Sequence, residues 1–295
     1  MNLEKISSYQ FENDFLHCES FIKGFADKNF KEFDEAAKKI GLTKKINDLI
    51  SGKIVNNTEN RSALHPKYRI FDENNKTSEN IIDAEVKASK FFSSRWNECK
   101  SNGYKSISIV TLGIGGSFEG PKLLLESLNN PISSDVLCSD EVTYKFITGS
   151  DPNEFDQETR QLKPANTYFI VSSKSFTTDE TIENLKKAFE WSGNKSNFIA
   201  ITANPNEAKK FGIKDVIFFD EEIGGRYSIW SPVTQFHLCG EIRKSFIKGG
   251  HKADIDILEN NEYINFIKRI SFTDIFLNNN GKNVRAVLSY IWNLR

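Results

Sequence analysis

The sequence predicts an α/β fold in which helices flank a parallel β-sheet. Five short apolar runs, rich in β-branched and aromatic residues, alternate with stretches of helical periodicity. No hairpin signal separates these runs. Each strand is therefore expected to return through a crossover, which makes the strands parallel and covers both faces of the sheet. The predicted strands are residues 106–112, 144–148, 167–172, 198–202 and 216–219.

Three helices are predicted between these strands. The first covers residues 121–128, with Pro121 in its first turn, where the missing N–H has no cost. The second runs from about Asp179 to Trp191. The third is opened by Asn204 and Pro205 and stops at Gly212.

Helical segments are also predicted on both sides of the sheet. Apolar residues at helical spacing indicate two early helices, one with Phe21, Ile22 and Phe25, and one with Phe33, Ala36, Ala37 and Ile40 that ends at Gly41. A long helix is predicted from Ser78 as its N-cap, with an inward face of Ile81, Ile82, Ala88, Phe91, Phe92 and Trp96. We therefore divide the chain into a helical segment (1–75), a sheet domain (76–235) and a second helical segment (236–295).

Composition limits the classes of partner. The formal net charge of −1 over 295 residues provides no field for nucleic acid or an anionic membrane, so a small charged metabolite is the expected partner. The first residues lack the apolar core of a signal peptide, and no apolar run is long enough to span a bilayer. The four cysteines are scattered, which disfavours a disulfide framework and a metal site and favours the cytoplasm.

The first candidate site is the turn at residues 113–117, Gly-Ile-Gly-Gly-Ser, which follows the first predicted strand. Glycines bring backbone N–H groups close to a ligand, and the start of the next helix favours an anion. A dinucleotide motif would need glycine at Phe118, and a P-loop would need lysine where Pro121 stands. The turn therefore indicates either a non-nucleotide anion site or, taken alone, a tight structural turn.

The second candidate is the turn at residues 173–178, Ser-Lys-Ser-Phe-Thr-Thr, which follows the third predicted strand. Thr177 and Glu180 have the spacing of a capping box, which is a sufficient structural explanation for those two residues. Capping does not explain Ser173, Ser175 and Thr178. Several hydroxyls beside unpaired helix N–H groups indicate a phosphate site, because a phosphate needs many converging donors.

The third candidate is the segment at residues 224–231, Gly-Gly-Arg-Tyr-Ser-Ile-Trp-Ser. Two glycines before Arg226 indicate an arginine presented on exposed backbone, ready for an oxyanion or a carboxylate. A surface ion pair is the alternative for this arginine, since that is where most arginines are found.

In this order and at these separations, the three motifs resemble the glucose-6-phosphate isomerase family, with Ser-Lys-Ser-Phe-Thr-Thr-x-Glu-Thr extending the second motif to residue 181. Residues 57–65 resemble an early segment of that family. Residues 283–292 resemble its helix before a second sugar-isomerase (SIS) domain. The likeness extends from about Gly52 to the last residue.

The resemblance implies that residues 76–235 form the first SIS domain and that the ligand is a hexose 6-phosphate. It implies that the phosphate is held by the side chains of Ser117, Ser173, Ser175 and Thr178 and by the backbone of Gly116 and Lys174. Arg226 would stabilise a cis-enediolate during aldose–ketose isomerisation, which needs oxyanion stabilisation and a positioned base. The resemblance implies no cofactor, and a homodimer for the full-length protein.

The sequence also departs from the family pattern. Motifs for the base glutamate, a ring-opening histidine and a late lysine are missing, and neither His237 nor His251 lies in a matching context. Gly149 replaces a usual asparagine. We therefore expect an incomplete N-terminal portion of an isomerase. A non-catalytic phosphosugar-binding module is the alternative, and a nucleotide-binding enzyme is disfavoured by both glycine spacings.

Overall fold

The structure is a computed structural model, and it describes residues 7–12, 17–22, 27–66, 76–128, 142–149, 151–234 and 236–237. The chain forms two compact units: Met1–Phe71 with Glu262–Arg295, and Asp72–Asn261. No helix among the described residues is both long enough and apolar enough to cross a membrane. Apart from residues 236–237, the second predicted helical segment (236–295), with His251 and the family-like helix at 283–292, lies outside the described residues.

The described residues of the first unit form two strand pairs and two helices. They are β1 (Ser7–Glu12), β2 (His17–Ile22), α1 (Asp27–Lys39), α2 (Leu42–Ile50), β3 (Ile54–Asn56) and β4 (Arg61–Ser62). The helical interpretation of Phe21 and Ile22 is wrong, because both lie in β2, which pairs antiparallel with β1. The second early helix is confirmed as α1, and Gly41 follows it with a φ of 67°.

The second unit contains a five-stranded parallel sheet, as predicted. Its strands are β5 (Ile107–Leu112), β6 (Val142–Ile147), β7 (Thr167–Ser172), β8 (Phe198–Thr202) and β9 (Asp215–Phe218). Their order across the sheet is β6-β5-β7-β8-β9, and all four pairings are parallel. Each strand end lies within two residues of its predicted position.

Helices precede, connect and follow these strands. They are α3 (Lys76–Ser101), α4 (Gly116–Leu128), α5 (Pro152–Thr159), α6 (Asp179–Ser192) and α7 (Pro205–Lys210), with a 3₁₀ segment at Gly225–Trp230. Two predicted starts are wrong: α3 begins before Ser78, and α4 begins at Gly116, which places Pro121 in the second helical turn. Helix α5 was not predicted from the sequence, although Asp151 and Pro152 are typical of a helix start. In the structure Asp151 is its N-cap, and its carboxylate accepts from the N–H of Asn153 at 2.9 Å.

Both faces of the sheet are covered, because alternate residues of each strand point to opposite sides. On one face Phe169 of β7 stacks on Phe198 of β8, with ring centroids 4.7 Å apart, in a buried cluster that includes Leu185 of α6. On the other face Tyr168 meets Phe91 of α3 edge to face at 6.3 Å. Strands β5, β7 and β8 are therefore buried along most of their length.

His237 is fully buried in this unit. Its Nε2 lies 2.9 Å from the hydroxyl of Thr111 on β5, and its ring stacks on Phe146 of β6 at 5.8 Å. Burial lowers the pKa of His237 to about 4, and the backbone carbonyl of Val233 opposes this effect only in part. The imidazole is therefore neutral at physiological pH.

This neutral histidine predicts a loss of stability in acid. The unfolded ring takes up a proton near pH 6.5, whereas the folded ring does so near pH 4, so the free energy of unfolding falls as pH drops from 6.5 to 4. The contribution of His237 to this fall is about 3 kcal/mol. Urea unfolding at several pH values should show a shallower fall for His237→Gln, and an unchanged pH dependence in that variant would contradict the assignment.

Candidate functional site

The first two candidate turns lie at the carboxyl ends of neighbouring strands. The first turn follows β5, and the second follows β7, its neighbour in the sheet. The connections run from β5 to one side of the sheet and from β7 to the other, so strand order reverses between these two strands. Open α/β sheets bind their ligands at such a switch point, outside the carboxyl ends of the strands.

Gly113 lies where the ends of β5 and β7 approach each other closely. A Cβ added at Gly113 would lie 2.8 Å from the carbonyl oxygen of Ser172, the last residue of β7, and 2.9 Å from the Cβ of Ser117. No side chain larger than hydrogen fits at that distance. The glycine at position 113 is therefore required by the close approach of the two strand ends.

Gly116 brings the third motif against the first. A Cβ at Gly116 would overlap the carbonyl oxygen of Gly225 and would lie 2.5 Å from its carbonyl carbon. The hydroxyl of Ser228 stabilises this contact by donating to the carbonyl oxygens of Gly116, at 3.1 Å, and Gly225, at 2.7 Å. The segment that carries Arg226 thus rests on the start of α4.

The second turn is organised around Ser173, whose side chain is buried. Its Oγ accepts from the backbone N–H of Phe176 at 3.2 Å and lies 3.3 Å from the hydroxyl of Thr178. Phe176 adopts a φ of 56°, a conformation that costs about 1–2 kcal/mol for a residue other than glycine. Its buried ring holds the turn in place.

The capping-box interpretation of Thr177 is wrong. Thr178 is the N-cap of α6 and makes no side-chain capping bond, while the Thr177 hydroxyl donates to Ser175 Oγ at 2.8 Å. The first-turn N–H groups of α6 have no acceptor among the described residues. These N–H groups therefore remain available to an anion, together with the positive end of the helix dipole.

Lys174 ties the second turn to the next loop. Its carbonyl oxygen accepts from the N–H of Ala203 and from the hydroxyl of Thr202, both at 3.0 Å. Its ammonium group donates to the carbonyl oxygen of Glu221 at 3.2 Å. The N–H groups of Lys174 and Gly116 have no acceptor among the described residues, so both can be offered to a ligand.

The remaining predicted residues differ in exposure. Ser117 is half-buried, Ser175 is exposed, and the exposed Arg226 forms no ion pair or hydrogen bond with a described residue. The structure therefore brings Gly116 and the Arg226 segment together and places Ser173 and Thr178 side by side. No described hydrogen bond joins Arg226 to the second turn.

Three further hydroxyls at this site were not singled out from the sequence. Ser228 links two motifs, and the Oγ of Ser172 and Oγ1 of Thr181 are buried without a hydrogen-bond partner among the described atoms. Buried polar groups are normally paired, and in this respect Ser172 and Thr181 differ from the hydroxyls of Ser173 and Thr178, which lie 3.3 Å apart. In the sequence, the feature that could have indicated a role for Ser228 is its position two residues after Arg226.

Gly149 shows how the β6 end is built without the expected asparagine. Its N–H donates to Oε2 of Glu154, and its carbonyl oxygen accepts from the side-chain amide of Asn184, each at 2.7 Å. The backbone of Gly149 thus connects β6 with α5 and α6. Only main-chain atoms of residue 149 take part in these bonds.

Comparison with solved structures identifies the class of fold. A glucose-6-phosphate isomerase from Chlamydia trachomatis superimposes with a TM-score of 0.66 at 19% identity, over 91% of this chain and 51% of that one. A hypothetical protein from Thermus thermophilus has a TM-score of 0.52 at 18% identity, over 91% and 55% respectively. These likenesses confirm the predicted SIS-type α/β fold.

Sequence comparison identifies the family. The family model for phosphoglucose isomerase matches residues 21–295. A glucose-6-phosphate isomerase of Legionella pneumophila is 34% identical over 273 residues, covering 86% of this chain and 52% of the relative. One from Coxiella burnetii is 35% identical over 241 residues, covering 75% and 43%. The chain belongs to the phosphoglucose isomerase family, as the three motifs indicated, and it spans about half the length of these relatives.

The contact between Gly116 and Gly225 predicts a sharp difference between two similar substitutions. Gly116→Ala should lower the free energy of unfolding by about 2–3 kcal/mol, because backbone must move to admit the methyl group. Gly224→Ala should change it by less than about 0.5 kcal/mol, since the nearest atom to its Cβ is Tyr227 Cδ2 at 3.7 Å. Urea unfolding measures both, and equal losses would contradict the packing described.

Proposed function

We propose that this chain supplies the phosphate-binding and charge-stabilising part of an isomerase that interconverts glucose 6-phosphate and fructose 6-phosphate. The reaction proceeds through a cis-enediolate and serves glycolysis and gluconeogenesis. The observation that carries the proposal is the contact of Gly116 with Gly225, which puts the Arg226 segment beside the first phosphate-binding turn. A phosphate cradle and a free arginine at one helix start suit a phosphorylated substrate that develops negative charge.

In the proposal the sugar phosphate sits between the starts of α4 and α6. Ser117, Ser173, Ser175 and Thr178 donate their hydroxyls, and the N–H groups of Gly116 and Lys174 complete the shell. The support is that these N–H groups lack acceptors among the described residues and that the hydroxyls lie at the carboxyl ends of β5 and β7. A doubly charged phosphate gains from many such donors without needing a formal counter-charge.

Arg226 is proposed to face the reacting carbons. Its guanidinium stays charged at every physiological pH and presents several N–H donors in one plane, which suits the two oxygens of an enediolate. The absence of a described ion pair leaves these donors available. Stabilising charge that develops only in the transition state raises turnover rather than ground-state binding.

The proton-transferring glutamate is proposed to come from a further segment of the complete protein, because the three motifs match binding and charge-stabilising elements only. The relatives are about twice as long as this chain, which is consistent with that division. We also propose a homodimer, located in the cytoplasm, for the complete protein.

Titration of fructose 6-phosphate tests the cradle. Isothermal calorimetry should show one saturable site on this chain, and Ser175→Ala should weaken binding about tenfold, since it removes one hydrogen bond to a charged group. Thr143→Ala is the matched control, because it removes an exposed hydroxyl from the opposite end of the sheet. No binding by a folded chain, or equal loss in both variants, would contradict the proposal.

A coupled assay tests turnover. The 295-residue chain should be inactive, whereas a form extended by the downstream reading frame should interconvert the two sugar phosphates. In the extended form Arg226→Lys should lower kcat about 10²-fold with a smaller change in KM, as expected for loss of transition-state donors. Arg160→Lys, at an exposed position after α5, serves as the control.

Two outcomes of this assay would change the assignment. Full activity in the 295-residue chain would refute the division of labour between this chain and a further segment. Binding without turnover in the extended form would favour a non-catalytic phosphosugar-binding module instead.

A further inference from the structure

A second cavity lies in the same unit, away from the two turns. It has a volume of about 580 Å³ and is lined by α3, α7 and β9, with Asp215 and Ile199 on its wall. These two residues are paired in register at the amino ends of β9 and β8. Phe218 at the carboxyl end of β9 also lines the cavity, which therefore runs the length of that strand. None of the residues of the two candidate turns is among its lining residues.

Positive side chains line this cavity from two sides. Lys87, Lys90 and Arg95 come from α3. Lys209 comes from the end of α7, and Lys214 precedes β9. We call these five residues the basic pocket. Asp215 is the carboxylate that shares the lining with them.

Only part of this charge is neutralised within the structure. Lys87 pairs with Asp83 at 2.7 Å, and Arg95 pairs with Glu98 at 2.8 Å. Among the described residues, Lys90, Lys209 and Lys214 have no ion-pair partner. Three unpaired cations around one hollow repel each other, so an anion between them would be favoured.

Arg95 is held in a fixed orientation at the base of the basic pocket. Its guanidinium carbon lies 5.2 Å from the centre of the Phe91 ring and 5.8 Å from that of Tyr168. Its Nε is buried and has no hydrogen-bond partner among the described atoms. The side chain is 16% exposed, and a guanidinium held in this way loses little conformational entropy when its accessible part contacts a ligand.

We propose that the basic pocket binds a small multivalent anion of the oligophosphate class. Its volume lies within the range of ordinary small-molecule sites. Its cations come from α3 on one side and from α7 and the start of β9 on the other, so an anion with several linked charges can contact both groups. The concave shape and the net charge of −1 for the chain favour a small ligand over nucleic acid.

Inorganic triphosphate is a suitable probe of the basic pocket. With fructose 6-phosphate present at saturation to occupy the proposed cradle, calorimetry at constant ionic strength should show one saturable site for triphosphate and at least about tenfold weaker binding of orthophosphate. The double variant K209Q/K214Q should weaken triphosphate binding about tenfold, since two partly exposed charge contacts are lost. Both lysines are exposed, so the fold should be unaffected, which thermal unfolding checks.

Two control variants distinguish the basic pocket from the rest of the charged surface and from the sugar-phosphate cradle. K186Q/K187Q removes the same charge from exposed positions on α6 and should leave triphosphate binding unchanged. Ser175→Ala disables the proposed cradle and should also leave it unchanged, so the two proposals can fail separately. Absence of saturable binding would overturn the proposal, because no site would then exist. Equal weakening by both double variants would also overturn it, because that result indicates binding to a generally basic surface.

Discussion

The close approach of Gly116 to Gly225 is the constraint on which the candidate site depends. Carbonyl and backbone atoms of the two glycines occupy the space that any side chain would need. The hydroxyl of Ser228 donates to the carbonyl oxygens of both glycines, which links the 3₁₀ segment to the start of α4. Arg226 is positioned by this backbone contact rather than by a salt bridge of its own.

The parallel sheet supplies the second half of the geometry. Parallel strands end on the same side, so the glycine-rich turn after β5 and the hydroxyl-rich turn after β7 become neighbours. Buried strands make this frame rigid, and Phe176 in its left-handed conformation shapes the second turn so that Ser173 and Thr178 meet.

The strands could be predicted because each is a short, apolar, β-branched run, and runs of this kind are confirmed at β5, β7 and β8. Helix starts were less predictable. Pro121 suggested a first turn, yet Gly116 and Ser117 had already begun α4. Phe21 and Ile22 are adjacent apolar residues that fit a strand as well as a helix. They form a strand because this segment pairs with β1. The contact between Gly116 and Gly225 joins segments that are distant in sequence, so it could not be predicted from a local sequence pattern.

The link from Ser228 to Gly116 also has a consequence for biosynthesis. The two residues are separated by 112 positions. At about 5–20 residues per second, the ribosome adds Ser228 roughly 6–22 s after Gly116. During that interval the glycine-rich turn has emerged without the segment that covers it. The nascent chain therefore spends seconds with this backbone open to chaperones or to premature contacts, and the candidate site is complete only after Ser228 has been added.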